Sequence, residues 1–212
     1  MDFFHPLLEP YTQKYSTGDD ALLAEVYEYT IKNHPKHHMI SGPLQGKFLE
    51  MISHMIRPER ILEIGTFTGY SALCLAKGLP DGGILHTIEL RETDAALAKS
   101  FFDRSFFSQK IILHIGDALQ IIGELKETWD LVFIDADKEN YIHYFNLVLS
   151  QVRQNGFILA DNVLFHGEVL EEKIKGKSGK AIQAFNDYLL TRNDVEKMIL
   201  PLRDGLMMIR KL

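Results

Sequence analysis

Met198-Ile199-Leu200-Pro201-Leu202-Arg203-Asp204-Gly205-Leu206-Met207-Met208-Ile209 decides the topology of this chain. Its two apolar runs are parted only by Arg203-Asp204-Gly205, which cannot hold a crossover helix, so they must pair antiparallel with Asp204-Gly205 in the turn. Upstream, further short aliphatic runs alternate with helix-length segments: Ile61-Leu62-Glu63-Ile64, Ile84-Leu85-His86-Thr87-Ile88, Ile111-Ile112-Leu113-His114-Ile115, Leu131-Val132-Phe133-Ile134 and Gly156-Phe157-Ile158-Leu159-Ala160. Alternation at this spacing calls for a mostly parallel sheet covered on both faces. The expected fold is α/β, an open, doubly wound, mostly parallel seven-stranded sheet with a C-terminal antiparallel hairpin. Residues 1–58 form a helical extension to a core spanning 59–212, within one domain. In the extension, Asp19 or Asp20 can cap a helix running to about Asn33, with Leu22, Leu23, Val26 and Tyr29 or Thr30 as its stripe. A second helix starts at Pro43, carries Phe48, Leu49, Ile52, Met55 and Ile56 on one face, and stops before Pro58.

The bulk composition narrows the function classes. With 46% hydrophobic and 25% charged residues among 212, the chain has ordinary globular composition and can build a core without staples. Its one cysteine, Cys74, excludes an intramolecular disulfide and fits a reducing compartment, so a cytoplasmic location is expected; the residue itself reads as a small core side chain. Met1-Asp2-Phe3-Phe4-His5-Pro6 lacks a basic region followed by an apolar stretch, and no apolar run approaches the roughly 20 residues of a membrane helix. Neither targeting nor a membrane is expected. A net charge of −6 argues against nucleic acid, whose binding depends on Lys and Arg displacing counterions. The one basic concentration, Lys173 to Lys180, reads as a mobile surface loop, with an anion contact as the alternative.

Glu63-Ile64-Gly65-Thr66-Phe67-Thr68-Gly69-Tyr70-Ser71 falls where the first strand turns into its helix. Glycines let the backbone approach a ligand, and the following helix start offers free N–H groups. The spacing is Gly-x-x-x-Gly, lacking the tight turn that dinucleotide folds place under a pyrophosphate, and Glu63 would repel a polyphosphate. A ligand with a cationic or amino-acid end suits the loop better. Glu89 closes the second strand, where an acid can accept hydrogen bonds from both ribose hydroxyls. Gly116-Asp117-Ala118 closes the third and can flank an adenine, with Asp117 near its exocyclic amine. An adenosine joined to an amino acid and free of phosphates satisfies all three positions, which points to S-adenosylmethionine.

Phe133-Ile134-Asp135-Ala136-Asp137-Lys138-Glu139-Asn140-Tyr141 and, one strand later, Ala160-Asp161-Asn162 supply the chemistry. Asp135, Asp161 and Asn162 offer only oxygen ligands, which suits Mg²⁺, Mn²⁺ or Ca²⁺, with Mg²⁺ as the default, and disfavours a structural zinc site. Adjacent residues of a regular strand point to opposite faces, so Asp161 and Asn162 can both ligate only if the strand ends there and the backbone turns. Lys138 lies one helical turn from Asp135, so both can face one pocket. A divalent cation chelated by two neighbouring substrate oxygens would lower a phenol's pKa and aim it at the methyl group.

With these motifs the chain resembles the cation-dependent catechol and caffeoyl-CoA type O-methyltransferases. That family carries Glu-Ile-Gly-x-x-x-Gly-Tyr-Ser, then Asp-Ala-Asp-Lys-x-Asn-Tyr, then Asp-Asn, in this order, and the likeness runs from about Met39 to the C-terminus. The terminal hairpin agrees, since it separates the methyltransferase variant of the Rossmann-like architecture from the all-parallel dehydrogenase variant. The resemblance implies that Asp135, Asp161 and Asn162 are the metal ligands, with Asp135 also beside the cofactor's methionine portion. It makes Lys138 the general base, which requires its pKa to be depressed by the metal charge and by desolvation. Met39 and Ser41 would close over the cofactor's amino-acid end, or form a plain loop; Ser71 would reach that carboxylate from the helix start. Asp137 and Asn140 resemble positions near the substrate, although a helix-start cap explains them equally well. The acceptor would be a vicinal aromatic diol or its acyl-CoA ester, and the N-terminal helices would join a homodimer.

Departures and rivals bear on this reading. After Asp161-Asn162 the plant caffeoyl-CoA branch carries Trp and Asn-Gly; here stand Val163-Leu164-Phe165-His166-Gly167. Phe165 keeps an aromatic wall, while His166 either contacts a different acceptor group or points to solvent. His34, His37 and His38 lack a carboxylate set for a metal, Tyr141 reads as packing, and Trp129 either packs near the adenine or is core. The rivals are an NAD-dependent Rossmann oxidoreductase and a non-catalytic S-adenosylmethionine-binding regulatory protein.

Overall fold

Aliphatic runs buried on both faces become the central strands of a parallel sheet, as the pattern demands. The computed structural model describes residues 7–212; Met1 to Pro6, read above for targeting, lies outside the described residues. β1 (Arg60–Ile64), β2 (Ile84–Glu89), β3 (Ile111–Ile115), β4 (Trp129–Ile134), β5 (Val152–Ala160), β6 (Val195–Leu200) and β7 (Leu206–Lys211) form a seven-stranded sheet ordered β3-β2-β1-β4-β5-β7-β6. β1 to β5 are parallel, and β7 is antiparallel to both β5 and β6.

Helices cover both faces. Ile61, Leu131, Phe133 and Leu159 pack under α2 (Ala21–Asn33), α3 (Pro43–Ile56), α4 (Tyr70–Ala76) and α5 (Glu92–Phe102), which follow α1 (Leu8–Lys14). Leu62, Ile64, Val132 and Ile134 face α6 (Ala118–Glu124), α7 (Tyr141–Gln151) and α8 (Lys177–Leu190). No helix among the described residues is long and apolar enough to cross a membrane.

The terminal hairpin forms with Leu200 opposite Leu206. β6 ends at Leu200 because Pro201 has no N–H for the ladder, and it begins earlier than expected, at Val195. The Gly205 amide donates to the Leu202 carbonyl at 2.9 Å, and Gly205 turns with φ 83°, a left-handed conformation that glycine adopts without strain. β5 also begins earlier, at Val152, with an irregularity in its pairing to β4 before the expected run resumes at Phe157 opposite Leu131.

Two other expectations change. Asp20 does cap α2, accepting from the Leu23 amide at 3.0 Å, but the buried face of α3 is Gln45, Gly46, Leu49 and Ser53, whereas Met55 stands in solvent. Small residues win because α3 lies close on α4: a Cβ on Gly46 would come within 2.6 Å of the Tyr70 ring, and Ser53 Oγ donates to the Leu75 carbonyl at 2.6 Å. The basic stretch expected as a loop is partly helix, since Lys177 to Lys180 open α8, with Gly179 buried. Trp129 is core, its Nε1 donating to Gln151 Oε1 at 2.9 Å, and Cys74 is core with its thiol pKa pushed up by burial.

This packing predicts a graded response to added methyl groups. Gly78→Ala would drive a Cβ to 2.2 Å from the Ser53 backbone, which cannot rotate away, whereas Gly46→Ala meets side chains only. Gly78→Ala should cost about 3 kcal/mol and Gly46→Ala about 1 kcal/mol; urea unfolding of the two variants checks the order.

Candidate active site

Two glycines set the floor of the site. Gly65, one residue past β1, turns with φ 101° so close to β4 that a Cβ would lie 2.0 Å from the Asp135 carbonyl oxygen. Gly69, with φ 88°, leads into α4 against the Phe102 ring, 2.6 Å from where its Cβ would stand. Both glycines are demanded by packing, and that same packing leaves the loop backbone open to a ligand. Above the C-terminal ends of the parallel strands lies a cavity of about 730 Å³, within the size range of small-molecule sites. Every residue expected at the cofactor, metal and acceptor lines it except Glu63.

Glu63 sits behind the wall, fully buried. The Thr87 hydroxyl donates to one of its oxygens and lies 2.5 Å from the Thr66 hydroxyl, while its other oxygen, Oε1, has no hydrogen-bond partner. Burial pushes the Glu63 pKa up to about 8; Ser71 and Thr87 oppose the shift and the charges of Asp135 and Glu89 add to it. Glu63 therefore lies beneath the loop, bonded to Thr87, and does not line the cavity where a cofactor contact was expected. Glu89 does line the cavity, and its carboxylate accepts from the Phe67 amide at 2.7 Å and the Arg91 amide at 3.0 Å. Asp117 caps α6 through the Leu119 amide at 2.8 Å and stays at the cavity edge. Met39 and Ser41 line the opposite side, on the stretch leading into α3.

The oxygen-rich end is built by β4, β5 and the segments after them. β5 ends at Ala160 and Asn162 adopts φ 60°, the backbone turn required for Asp161 and Asn162 to share one face. Asp161 is buried, accepting from Gln45 Nε2 at 2.7 Å and from the Asn162 amide at 2.8 Å. Burial and then the Asp135 charge raise its pKa to about 6, so the two carboxylates are near enough to repel. Lys138 Nζ bonds Asp135 Oδ1 at 2.9 Å and the Tyr141 hydroxyl at 2.7 Å. Burial works to lower the Lys138 pKa, but Tyr141, Asp135 and Asp161 outweigh it and raise it. The lysine is thus held as an ammonium, opposite in direction to the depression expected of a general base.

Among the described residues no group of three or more His, Cys, Asp or Glu gathers at metal-binding spacing. Two carboxylates and an amide oxygen still fit a hard cation, since Mg²⁺ commonly keeps several waters and takes one or two carboxylates. Repulsion between Asp135 and Asp161, with an ammonium drawn onto Asp135, is the signature of a place that favours positive charge.

Asp137 stands at the start of the helical turn Lys138–Asn140 without a side-chain cap bond; its carboxylate accepts from the Tyr144 hydroxyl at 2.5 Å and Asn140 Nδ2 at 2.6 Å. His166 stands at the rim with its side chain 79% exposed and its backbone in φ 53°. No lysine of the 173–180 stretch lines the cavity. Residues that the motifs did not indicate complete the site. The Asp204 carboxylate accepts from Asn162 Nδ2 at 3.3 Å and from the His166 amide, and Arg203 Nη1 donates to the Ile40 carbonyl at 3.1 Å. Tyr141, expected as packing, also bonds the Asp161 carbonyl at 2.9 Å. Topology holds a signal for Asp204, because a hairpin antiparallel to β5 turns at the edge where β5 ends.

Comparison with known proteins agrees with this geometry. A model of the family described as O-methyltransferase matches residues 13–212. A catechol O-methyltransferase from Niastella koreensis is 35% identical, covering 86% of this chain and 83% of that protein. A probable caffeoyl-CoA O-methyltransferase of Dictyostelium discoideum is 32% identical over 89% of this chain and 84% of its own length. A methyltransferase of Podospora anserina, solved with SAH bound, superposes with a TM-score of 0.90 at 29% identity, covering 97% of this chain and 94% of that one.

Glu63 carries a pH signature. Its folded pKa of about 8 lies above its ordinary 4.5, so between those values the folded chain holds a proton that the unfolded chain has lost. Its contribution to stability is full below the lower value and falls, by about 1.4 kcal/mol per pH unit, as pH rises through the window. Glu63→Gln should match the parent near pH 4.5 and gain on it steadily towards pH 8 in urea unfolding without ligands; a pH-independent difference would contradict the assignment.

Proposed function

The chain belongs to the O-methyltransferase family, and from that premise we propose that it moves a methyl group from S-adenosylmethionine to one hydroxyl of a vicinal aromatic diol in a divalent-cation-dependent reaction. The observation that carries the reading is the meeting of Asp135, Asp161 and Asn162 with Lys138 in the one cavity that the glycine loop and Glu89 also line. Asp135, Asp161 and Asn162 would hold the cation. Bound there, it supplies Lewis acidity and a template for two neighbouring acceptor oxygens.

The chain's own residues do the rest. Glu89 offers acceptors to a ribose, the backbone around Gly65 and Thr66 and the side chains of Ser41 and Ser71 receive the amino-acid end, and Asp117 and Ala118 flank the base. Asp135 lies between the donor side and the acceptor side, and its negative charge favours a sulfonium as well as a cation. Lys138 Nζ takes the acceptor's proton. Tyr141, Asp135 and Asp161 together hold its pKa up; a cation on the two carboxylates would offset their part and add to burial, which lowers it, while Tyr141 stays beside it. Asp137, Asn140 and His166 border the acceptor end, where an apolar ring would rest near Phe165.

The same proposal has the protein working in the cytoplasm, consistent with its one buried thiol, and pairing as a homodimer through its N-terminal helices. Exposed Tyr11 on α1, Tyr15 just after it, and Met51 and Met55 on α3 supply the apolar surface such pairing would cover.

Methylation of a catechol panel should stop when EDTA is added and return with excess Mg²⁺; turnover that survives chelation would refute the cation dependence. Lys138→Ala should lower turnover by about 100-fold or more while calorimetric affinity for S-adenosylhomocysteine stays within about twofold. Unchanged turnover would remove Lys138 from the mechanism.

A further inference from the structure

Gln45 is an unusual residue to find on the buried face of a helix. It stands in the first turn of α3, 1% exposed, where a leucine would fill the space at lower desolvation cost. Both ends of its amide are engaged. Arg203 Nη1 lies 3.4 Å from Gln45 Oε1, and Gln45 Nε2 donates to Asp161 Oδ2 at 2.7 Å. This orientation follows from chemistry, because a guanidinium has only donors and a carboxylate only acceptors. Reversing the amide would set two acceptors and two donors face to face.

The consequence falls on Asp161. One of its oxygens takes the Gln45 amide and the other takes the Asn162 N–H, so its carboxylate plane is fixed from two directions while each oxygen keeps capacity for a further partner. Arg203 is tied to the Ile40 carbonyl as well as to Gln45, so the hairpin turn and the start of α3 are clamped together behind the carboxylate. A cation ligand on a short side chain has little precision unless a neighbour holds it, and neighbours of this kind affect metal affinity about 10–100-fold.

We propose that Gln45, its amide direction set by Arg203, is a positioning residue that orients the Asp161 carboxylate for a divalent cation. The inference rests on the metal reading above and adds a residue in α3, remote in sequence from the ligands. Its role is exerted through Asp161 alone, so cofactor affinity is expected to be indifferent to it.

Mn²⁺ binding followed by electron paramagnetic resonance, beside calorimetry with S-adenosylhomocysteine, tests it on the full chain. Gln45→Leu, and the more nearly isosteric Gln45→Met in case the first fails to fold, should weaken Mn²⁺ binding about 10-fold or more. S-adenosylhomocysteine affinity should stay within about twofold, a split that a merely structural role would not produce. Mn²⁺ affinity equal to the parent in a folded variant overturns the role of Gln45 and leaves the metal reading standing. A parent that binds S-adenosylhomocysteine but no Mn²⁺ overturns both.

Discussion

The backbone ladder at the C-terminal edge of the sheet is the constraint on which the site depends. One residue beyond each strand, the chain still donates into its neighbour: Gly116 to Glu89, Gly65 to Ile88, Asp135 to Ile64 and Asp161 to Ile134, all at 2.9–3.0 Å. Those four amides set the Gly116-Asp117 turn, the glycine loop and the two carboxylates in one row across β3, β2, β1, β4 and β5. The row is positioned by regular hydrogen bonding and needs no precision from the loops themselves. It also explains why Gly65 tolerates no side chain: the β1 and β4 exits run so close that the Asp135 carbonyl occupies the place of a Cβ.

Gathering strand ends also gathers charge. Glu63, Glu89, Asp135 and Asp161 lie near one another where water is scarce, and the protein answers by different means. Glu89 is met by two backbone amides, Asp135 by Lys138, and Asp161 by Gln45 and the Asn162 amide. Glu63 has the poorest supply of donors and shifts furthest, with one oxygen unpartnered. Residual negative charge is unfavourable to the ligand-free fold and favourable to any cationic ligand, so stability and binding are drawn from the same source.

What could be read from the sequence was whatever depends on local pattern. The strand runs, the Asp20 cap, the antiparallel hairpin and the break after Asp161 follow from periodicity, capping and chain length between runs. Three features escaped because they depend on who lies opposite. α3 shows an apolar stripe that includes Met55, yet beside Leu49 its buried face is Gln45, Gly46 and Ser53, chosen by the close approach of α4. Gly179 reads as loop punctuation and is instead a helix contact, where a Cβ would meet the Glu168 carboxylate at 2.2 Å. Gln45 touches Asp161 across 116 positions, a partnership that no local window contains.

The hairpin that identifies the topology is also part of the site. Because β7 runs against β5, the turn at Arg203-Asp204-Gly205 returns to the edge where Asp161 and Asn162 leave the sheet. The Val163 and Leu164 amides bond the Gly205 and Asp204 carbonyls at 3.0 and 2.9 Å, so the segment after Asn162 is stitched to the turn backbone. From that position Asp204 takes the Asn162 amide group, which leaves the Asn162 carbonyl oxygen facing the other way, and Arg203 reaches Gln45. An all-parallel sheet would need a helix between these strands and would carry the turn off the edge. The reversed seventh strand therefore has a chemical reason beside its topological one: it brings Asp204 onto Asn162 directly and Arg203 to Asp161 by way of Gln45, two residues that a short loop alone could not hold in register.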